Sequence, residues 1–111
     1  ANYYSRFSEA MGGHLPSSKL DAYFLAQSLT DSVMANYVIE ESRDLNFIVA
    51  GSFHTDFFDG TVEKMKKLGA RDVALLKLVN EKNITPEERS LYILGDSIYG
   101  NFSDYVIFCG E

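Results

Sequence analysis

The residues of this chain best suited to chemistry are a histidine and the two carboxylates that follow it. His54 completes a Gly-x-x-His motif that begins at Gly51, and Asp56 and Asp59 come shortly after it. In an open α/β sheet, ligands bind just beyond the carboxyl ends of the strands, where a glycine lets the backbone turn and a histidine can face the crevice. We therefore predict that His54 lines a binding site at the end of a strand.

One hypothesis for this pattern is a metal-dependent hydrolase. His54, Asp56 and Asp59, together with His14 from an earlier loop, carry nitrogen and carboxylate donors that could ligate a metal ion. The pattern has low specificity, because both aspartates could instead cap the turn before Thr61. The sequence contains no Gly-x-Ser-x-Gly elbow, so no serine nucleophile is indicated. Binding without catalysis is the preferred hypothesis, and the hydrolase is the alternative.

Two polar residues interrupt the apolar face of the longest predicted helix, which covers residues 19 to 42 and opens after Pro16. Gln27 and Asp31 fall on the stripe formed by Leu20, Phe24, Met34 and Val38. Burying them without partners would cost about 1–3 kcal/mol each. They therefore either line a ligand site or form an internal polar network, and the network alone would suit a purely structural or interaction module.

Three apolar runs predict buried, parallel strands, at residues 46–53, 72–79 and 105–109. A short helix over residues 62 to 68, capped by Thr61 and ended by Gly69, joins the first two strands. A crossover of that length predicts a right-handed βαβ unit. A further short helix begins at Thr85-Pro86, with Glu88 at the position of a capping box.

These elements predict an α/β fold with a mostly parallel sheet flanked by helices and a small helical subdomain. Residues 1–44 form the helical segment, with the small subdomain and the long helix, and residues 45–111 form the part of the sheet that contains the βαβ unit. Three parallel strands are too few to protect a sheet on both faces. We therefore expect the chain to be the C-terminal part of a larger domain whose N-terminal half is missing, or to be completed by another chain.

Composition limits the class of protein. The 111 residues, 46% of them hydrophobic, suit one small globular domain. A formal net charge of −6 argues against nucleic-acid binding, which needs a basic face. No apolar run is long enough to span a bilayer. The single cysteine, Cys109, cannot form an internal disulfide and is expected to be a buried thiol.

The long helix also carries a family resemblance. Its segment Ala26–Ala35 matches the pattern A-Q-x-x-x-D-x-x-M-A and resembles the ChaN-like haem-binding uptake proteins, and the Gly-x-x-His motif follows at the expected place. This family is distantly similar to the Tiki proteases and the erythromycin esterases. The resemblance covers roughly residues 17 to 80 and implies a large parallel sheet flanked by helices.

The resemblance implies a haem-binding lipoprotein of a Gram-negative iron-uptake system. Such a protein would lie in the periplasm, attached to a membrane only by a lipid anchor outside this chain. It would form a homodimer that encloses haem, with an outer-membrane haem receptor as a further candidate partner. The resemblance also implies that a tyrosinate ligates the iron, and a tyrosinate oxygen holds haem iron in the ferric state.

The ligating tyrosine is ranked on local grounds. Tyr23 comes first, because it flanks the stripe of Gln27 and Asp31 near the start of the long helix. Tyr4 and Tyr3 come next, since they lie in an amphipathic segment just before two glycines, and Tyr37 is fourth. The remaining tyrosines, in the last third of the chain, are expected to pack or to cap turns.

Other residues are predicted to contact the haem around the iron. The resemblance implies that a histidine and a lysine hold the propionates, and His14 with Lys19 could form that clamp. His54 is expected to line the haem pocket. Phe57 and Phe58 follow it and could pack against the porphyrin, although packing in the core would suit them equally well.

Overall fold

The computed structural model describes residues 2–41 and 43–110, which form a mixture of helices and strands. The helices are α1 (Asn2–Met11), α2 (Ser17–Glu40), α3 (Gly60–Lys67) and α4 (Pro86–Leu94), and the strands are β1 (Leu76–Asn80) and β2 (Tyr105–Cys109). Single 3₁₀ turns occur at Ser52–His54, Asp56–Phe58 and Glu81–Asn83. Helices and a parallel pair of strands confirm the predicted α/β class.

The two strands form a parallel sheet joined by a βαβ crossover. Leu76 pairs with Tyr105 at one end, Asn80 pairs with Cys109 at the other, and α4 lies between the strands in the chain. The strand predicted over residues 105–109 is confirmed, whereas the one predicted over residues 72–79 is displaced toward the C-terminus. Cys109 is exposed, so the expectation of a buried thiol is wrong.

The strand predicted over residues 46–53 is wrong. Residues 46–51 have no regular secondary structure, and Ser52–His54 form a 3₁₀ turn. Phe47 and Val49 are 86% and 98% exposed. An apolar run supplies only the propensity for a strand, because a strand also needs a neighbour whose N–H and C=O groups pair with its own. The predicted βαβ unit between this run and β1 is therefore absent from the described residues.

The main hydrophobic core lies between α2, α3 and the segment that enters β1. Its buried members are Ala35, Val62, Met65 and Leu75. The helix α2 begins near its predicted start and ends at Glu40, while residue 42, its predicted last residue, lies outside the described part of the chain. Gly69 adopts a φ of +104° just after α3, which is the left-handed conformation that ends a helix as predicted.

The start of α4 matches its prediction in atomic detail. The Thr85 side chain accepts a hydrogen bond from the Glu88 backbone N–H, and the Glu88 carboxylate accepts one from the Thr85 backbone N–H. Pro86 occupies the first turn of the helix. Among the helices that the structure describes, none is both long and apolar enough to cross a membrane.

An aromatic cluster fixes α1 against α2 and the 52–54 turn. The Phe24 ring lies 5.3 Å from both the Tyr3 ring and the Phe7 ring, and the Phe53 ring lies 5.8 Å from that of Tyr3. Their edge-on and tilted arrangements are favourable for aromatic pairs. This cluster brings α1, the N-terminal half of α2 and the residue before His54 to one place.

Candidate functional site

A buried carboxylate from α2 organises the candidate site. Asp31 has no exposed surface, and three side chains from other elements donate hydrogen bonds to it. The Tyr3 hydroxyl lies 2.6 Å from Oδ2, while the Thr61 hydroxyl and His54 Nδ1 lie 2.9 and 2.7 Å from Oδ1. Three hydrogen-bond partners satisfy the two oxygens of this buried side chain. The polar position that interrupts the apolar face of α2 is thus the centre of a network.

The network also fixes the tautomer of His54. Nδ1 lies 2.7 Å from the Asp31 carboxylate and 3.1 Å from Gln27 Nε2. If Nδ1 carried no proton, its lone pair would face the charged oxygen at the shorter distance, which is repulsive. Nδ1 therefore donates to Asp31, and the Gln27 amide instead donates to the Tyr3 hydroxyl at 2.9 Å.

This arrangement leaves the other ring nitrogen of His54 available. With the proton on Nδ1, the neutral imidazole presents a lone pair at Nε2. The His54 side chain is 22% exposed, whereas Asp31 behind it is fully buried. A carboxylate that holds an imidazole in one tautomer is the arrangement found behind histidine metal ligands and general bases. The geometry can therefore support ligation, proton transfer or a hydrogen bond to an anion.

Four separate elements deliver these side chains. Gln27 and Asp31 lie four residues apart on α2, so they project from the same helix face. Tyr3 comes from α1, His54 from the 3₁₀ turn and Thr61 from the first turn of α3. The predicted cap by Thr61 is wrong, because Asp59 occupies the N-cap position and the Thr61 hydroxyl donates to Asp31.

The structure separates the candidate tyrosines by their partners. Burial, with the hydrogen bond to Asp31, raises the pKa of Tyr3 well above the ordinary value of a phenol. The hydrogen bond from the Tyr4 hydroxyl to Asp21 raises the pKa of Tyr4. An ionised phenol cannot donate a hydrogen bond, so a tyrosinate at Tyr3 or Tyr4 would lose its bond to Asp31 or Asp21.

Tyr23 and Tyr37 lie at the surface of α2. Their side chains are 52% and 67% exposed. Neither hydroxyl has a hydrogen-bond partner within residues 2–41 and 43–110. Tyr23 lies one helical turn before Gln27, as the sequence predicts, and so adjoins the polar stripe.

The predicted propionate clamp lies apart from the Asp31 network. His14 is in the turn after α1 and Lys19 is in the first turns of α2, and both side chains are exposed. Neither takes part in the hydrogen bonds that surround Asp31. They remain available to an anionic group at the surface.

Phe57 and Phe58 pack within the protein. The Phe57 ring lies 4.2 Å from that of Phe102, and Phe58 packs against the main core. Both residues have positive φ values, 62° and 60°, which bulky side chains rarely adopt. The turn that carries His54 is therefore held in an uncommon backbone conformation.

Two buried cations that sequence reasoning missed engage the aspartates after His54. Arg6 Nη2 lies 3.0 Å from Asp59 Oδ2, and Lys77 Nζ lies 2.8 and 2.7 Å from the two carboxylate oxygens of Asp56. Burial raises the pKa of Asp56, although the Lys77 ammonium opposes this shift. In the described part of the chain, no three His, Cys, Asp or Glu side chains are grouped so that they could hold a metal ion.

Two cavities adjoin the network. One, of about 540 Å³, lies between the end of α2, the 43–48 segment, α3 and the 70–75 segment, and both Thr55 and Thr61 line it. The other, of about 270 Å³, lies between α1, α2 and α3, and its lining includes Tyr3 and Tyr4. Lys64 and Lys67 also line it.

Comparison with known protein families gives a match over the first part of the chain. A family model described as haem-binding uptake, Tiki superfamily, ChaN matches residues 1–65, which include α1, α2 and every residue of the Asp31 network. No curated protein and no solved structure matches the chain. Because the match covers more than half of the 111 residues, the chain belongs to the ChaN family of haem-binding uptake proteins in the Tiki superfamily.

Proposed function

We propose that this protein binds ferric haem for a bacterial haem and iron uptake system. The observation that carries the proposal is the imidazole of His54, which Asp31 fixes with Nε2 free, in a chain whose family is a haem-binding one. A lone pair at Nε2 can accept a hydrogen bond from a protonated propionate, and the imidazolium can pair with an ionised one. His54 is accordingly a residue that lines the haem site.

The proposed iron ligand is the tyrosinate oxygen of Tyr23. Tyr3 and Tyr4 each donate a hydrogen bond to a carboxylate. Burial, together with its bond to Asp31, raises the pKa of Tyr3, and the bond to Asp21 raises the pKa of Tyr4. The Tyr23 hydroxyl has no such partner among the described residues, and half of its side chain is exposed. Ferric haem supplies the positive charge that stabilises the phenolate, and tyrosinate ligation keeps the iron oxidised.

The surface of α2 supports a dimeric site. Four apolar residues recur at intervals of four along this helix and are 62–69% exposed: Leu25, Leu29, Val33 and Tyr37. A second copy packed on this stripe would cover apolar surface and would lie beside the helix that carries Tyr23. In that homodimer, His14 and Lys19 are the proposed partners of the propionates, because both are exposed and both can be cationic.

The proposed setting is the envelope of a Gram-negative bacterium. A protein of a haem-uptake family would receive haem after its passage through the outer membrane, so an outer-membrane haem receptor is a proposed partner. Periplasmic location with a lipid anchor is part of the same proposal.

Absorbance titration with haemin tests the proposed binding. We expect a saturable shift of the Soret band, and gel filtration of the loaded protein should give the mass of a dimer. A linear increase in absorbance without saturation would contradict haem binding. A saturable shift in a monomer would retain haem binding and remove the dimer.

A metal-dependent hydrolase is the second candidate function. The observation that favours it is the Asp31–His54 pair, because a carboxylate-oriented imidazole can also serve as a metal ligand or a general base. Metal analysis of the purified protein discriminates the two functions. Stoichiometric zinc or manganese together with no saturable haemin binding would favour the hydrolase.

A further inference from the structure

The turn that carries His54 is held by an arginine that neither the family assignment nor the Asp31 network explains. We define the histidine segment as residues 52–59, which contains two short 3₁₀ turns and the successive left-handed residues Phe57 and Phe58. A left-handed backbone at bulky residues is unfavourable and persists only when the surrounding structure determines it. The segment therefore needs an external support.

Arg6 of α1 supplies that support from both sides of His54. Its Nη2 donates to the Asp56 backbone carbonyl at 3.1 Å and to the Asp59 carboxylate at 3.0 Å, which fixes the segment after the histidine. Its guanidinium carbon lies 5.2 Å from the centre of the Phe53 ring, immediately before the histidine, and 4.6 Å from that of Phe57. The side chain is 7% exposed.

The same helix also holds the carboxylate that His54 contacts. Tyr3 lies one helical turn before Arg6 on α1 and donates to Asp31. One rigid helix thus fixes Asp31 through Tyr3 and the histidine segment through Arg6. The separation of Asp31 Oδ1 and His54 Nδ1 depends on both attachments, because these two atoms belong to elements far apart in the sequence.

We infer that Arg6 is a positioning residue that fixes the imidazole of His54 against Asp31 and so sets the direction of Nε2. A planar guanidinium can stack on Phe53 and Phe57 while donating to two acceptors in its own plane. A lysine at this position would keep the charge but lose the stacking and the paired directional bonds. The consequence for haem binding rests on the proposed function, whereas the positioning of His54 does not.

The test replaces Arg6→Lys and observes the histidines directly in the haem-free protein. Long-range proton–nitrogen NMR spectra of histidine-labelled protein report the tautomer of each of the two imidazoles. We expect His54 of the wild type to carry its proton on Nδ1, and we expect Arg6→Lys to move its nitrogen shifts toward those of a tautomer mixture. The exposed His14 is the internal reference and should not change.

Arg89→Lys is the matched control variant. Arg89 pairs with Glu81 and its guanidinium lies 3.9 Å over the Phe108 ring, so it makes the same kinds of contact on α4. This variant should leave the His54 signals unchanged. If Arg6→Lys leaves the His54 tautomer as in the wild type, or if Arg89→Lys changes it equally, the positioning role is wrong.

Asp59→Asn keeps the proposal testable if Arg6→Lys does not fold. It weakens one bond of Arg6 at a side chain that is 22% exposed, and we expect a smaller shift of His54 in the same direction. No shift would overturn the inference. Arg6→Lys should bind haemin severalfold more weakly than Arg89→Lys does. If the wild type does not bind haemin, the proposed function is wrong, and the NMR result still decides the role of Arg6.

Discussion

Replacing Asp31 by asparagine tests whether the buried carboxylate holds the site together. Asparagine has nearly the same shape, but it has one acceptor oxygen and no charge. When the asparagine oxygen occupies the Oδ1 position, it can still accept hydrogen bonds from His54 and Thr61. The amide nitrogen then faces the Tyr3 hydroxyl, which loses its acceptor.

The size of the effect follows from these three bonds. Losing one bond to a charged acceptor costs about 1.5–3 kcal/mol, and weakening the other two to neutral bonds adds about 1 kcal/mol. We therefore expect Asp31→Asn to lower the free energy of unfolding by about 3 kcal/mol, a large share of the ~5–15 kcal/mol of a typical domain. The side chain has no exposed surface, so water does not replace the lost partners.

Urea denaturation followed by circular dichroism measures this change, with unaltered m values as the sign of a common unfolded state. The matched control is Asp44→Asn, at an exposed aspartate, which should change the free energy of unfolding by less than about 0.5 kcal/mol. Tyr3→Phe completes a double-mutant cycle with Asp31→Asn, and we expect a coupling energy of about 1.5 kcal/mol between them. Additive effects of the two substitutions would refute the network.

Two further predictions concern groups that are buried or protonated in the folded protein. The pKa of Tyr3 is raised above the free value of 10.0, so the unfolded chain loses this proton at lower pH than the folded protein, and the free energy of unfolding should fall as pH rises above about 10. Urea titrations should show a shallower fall for Tyr3→Phe. An equal fall in both proteins would contradict the raised pKa. Lys77→Met leaves the Asp56 carboxylate without its ammonium partner and should lower the free energy of unfolding by about 3–5 kcal/mol. Adding Asp56→Asn to this variant should restore part of the loss. If Lys77→Met costs nothing, the pair does not stabilise the fold.

The polar positions of the site could be predicted because they follow from local periodicity. Gln27 and Asp31 stand out on the apolar face of α2, and His54 stands out at the end of an apolar run. The partners could not be predicted in the same way, because the bond between Tyr3 and Asp31 joins residues far apart in the sequence. The residues around Tyr3 make it a candidate ligand, but they do not reveal that its hydroxyl bonds to Asp31.

Sequence reasoning missed Lys77, although the residues of β1 carry a signal for its burial. It lies between Leu76 and Leu78 in β1, and Leu75 and Val79, both buried, share its face of the strand. Alternation would have identified a lysine on a buried face and hence a need for a carboxylate partner. The strand expected at residues 46–53 does not form, because apolar composition does not reveal whether a neighbouring strand is present to pair with it.

The measurement that tests the central claim most directly is a comparison of haemin titrations of wild type, Tyr23→Phe and Tyr105→Phe. Tyr105 is the control, because it is a similarly exposed tyrosine, at 65%, that lies on β2 and not on α2. We expect the wild type and Tyr105→Phe to show a saturable Soret shift with the charge-transfer band of tyrosinate-ligated ferric haem, and Tyr23→Phe to lose that band. Retention of the band in Tyr23→Phe would contradict the assigned ligand, and the absence of a saturable shift in the wild type would contradict haem binding itself.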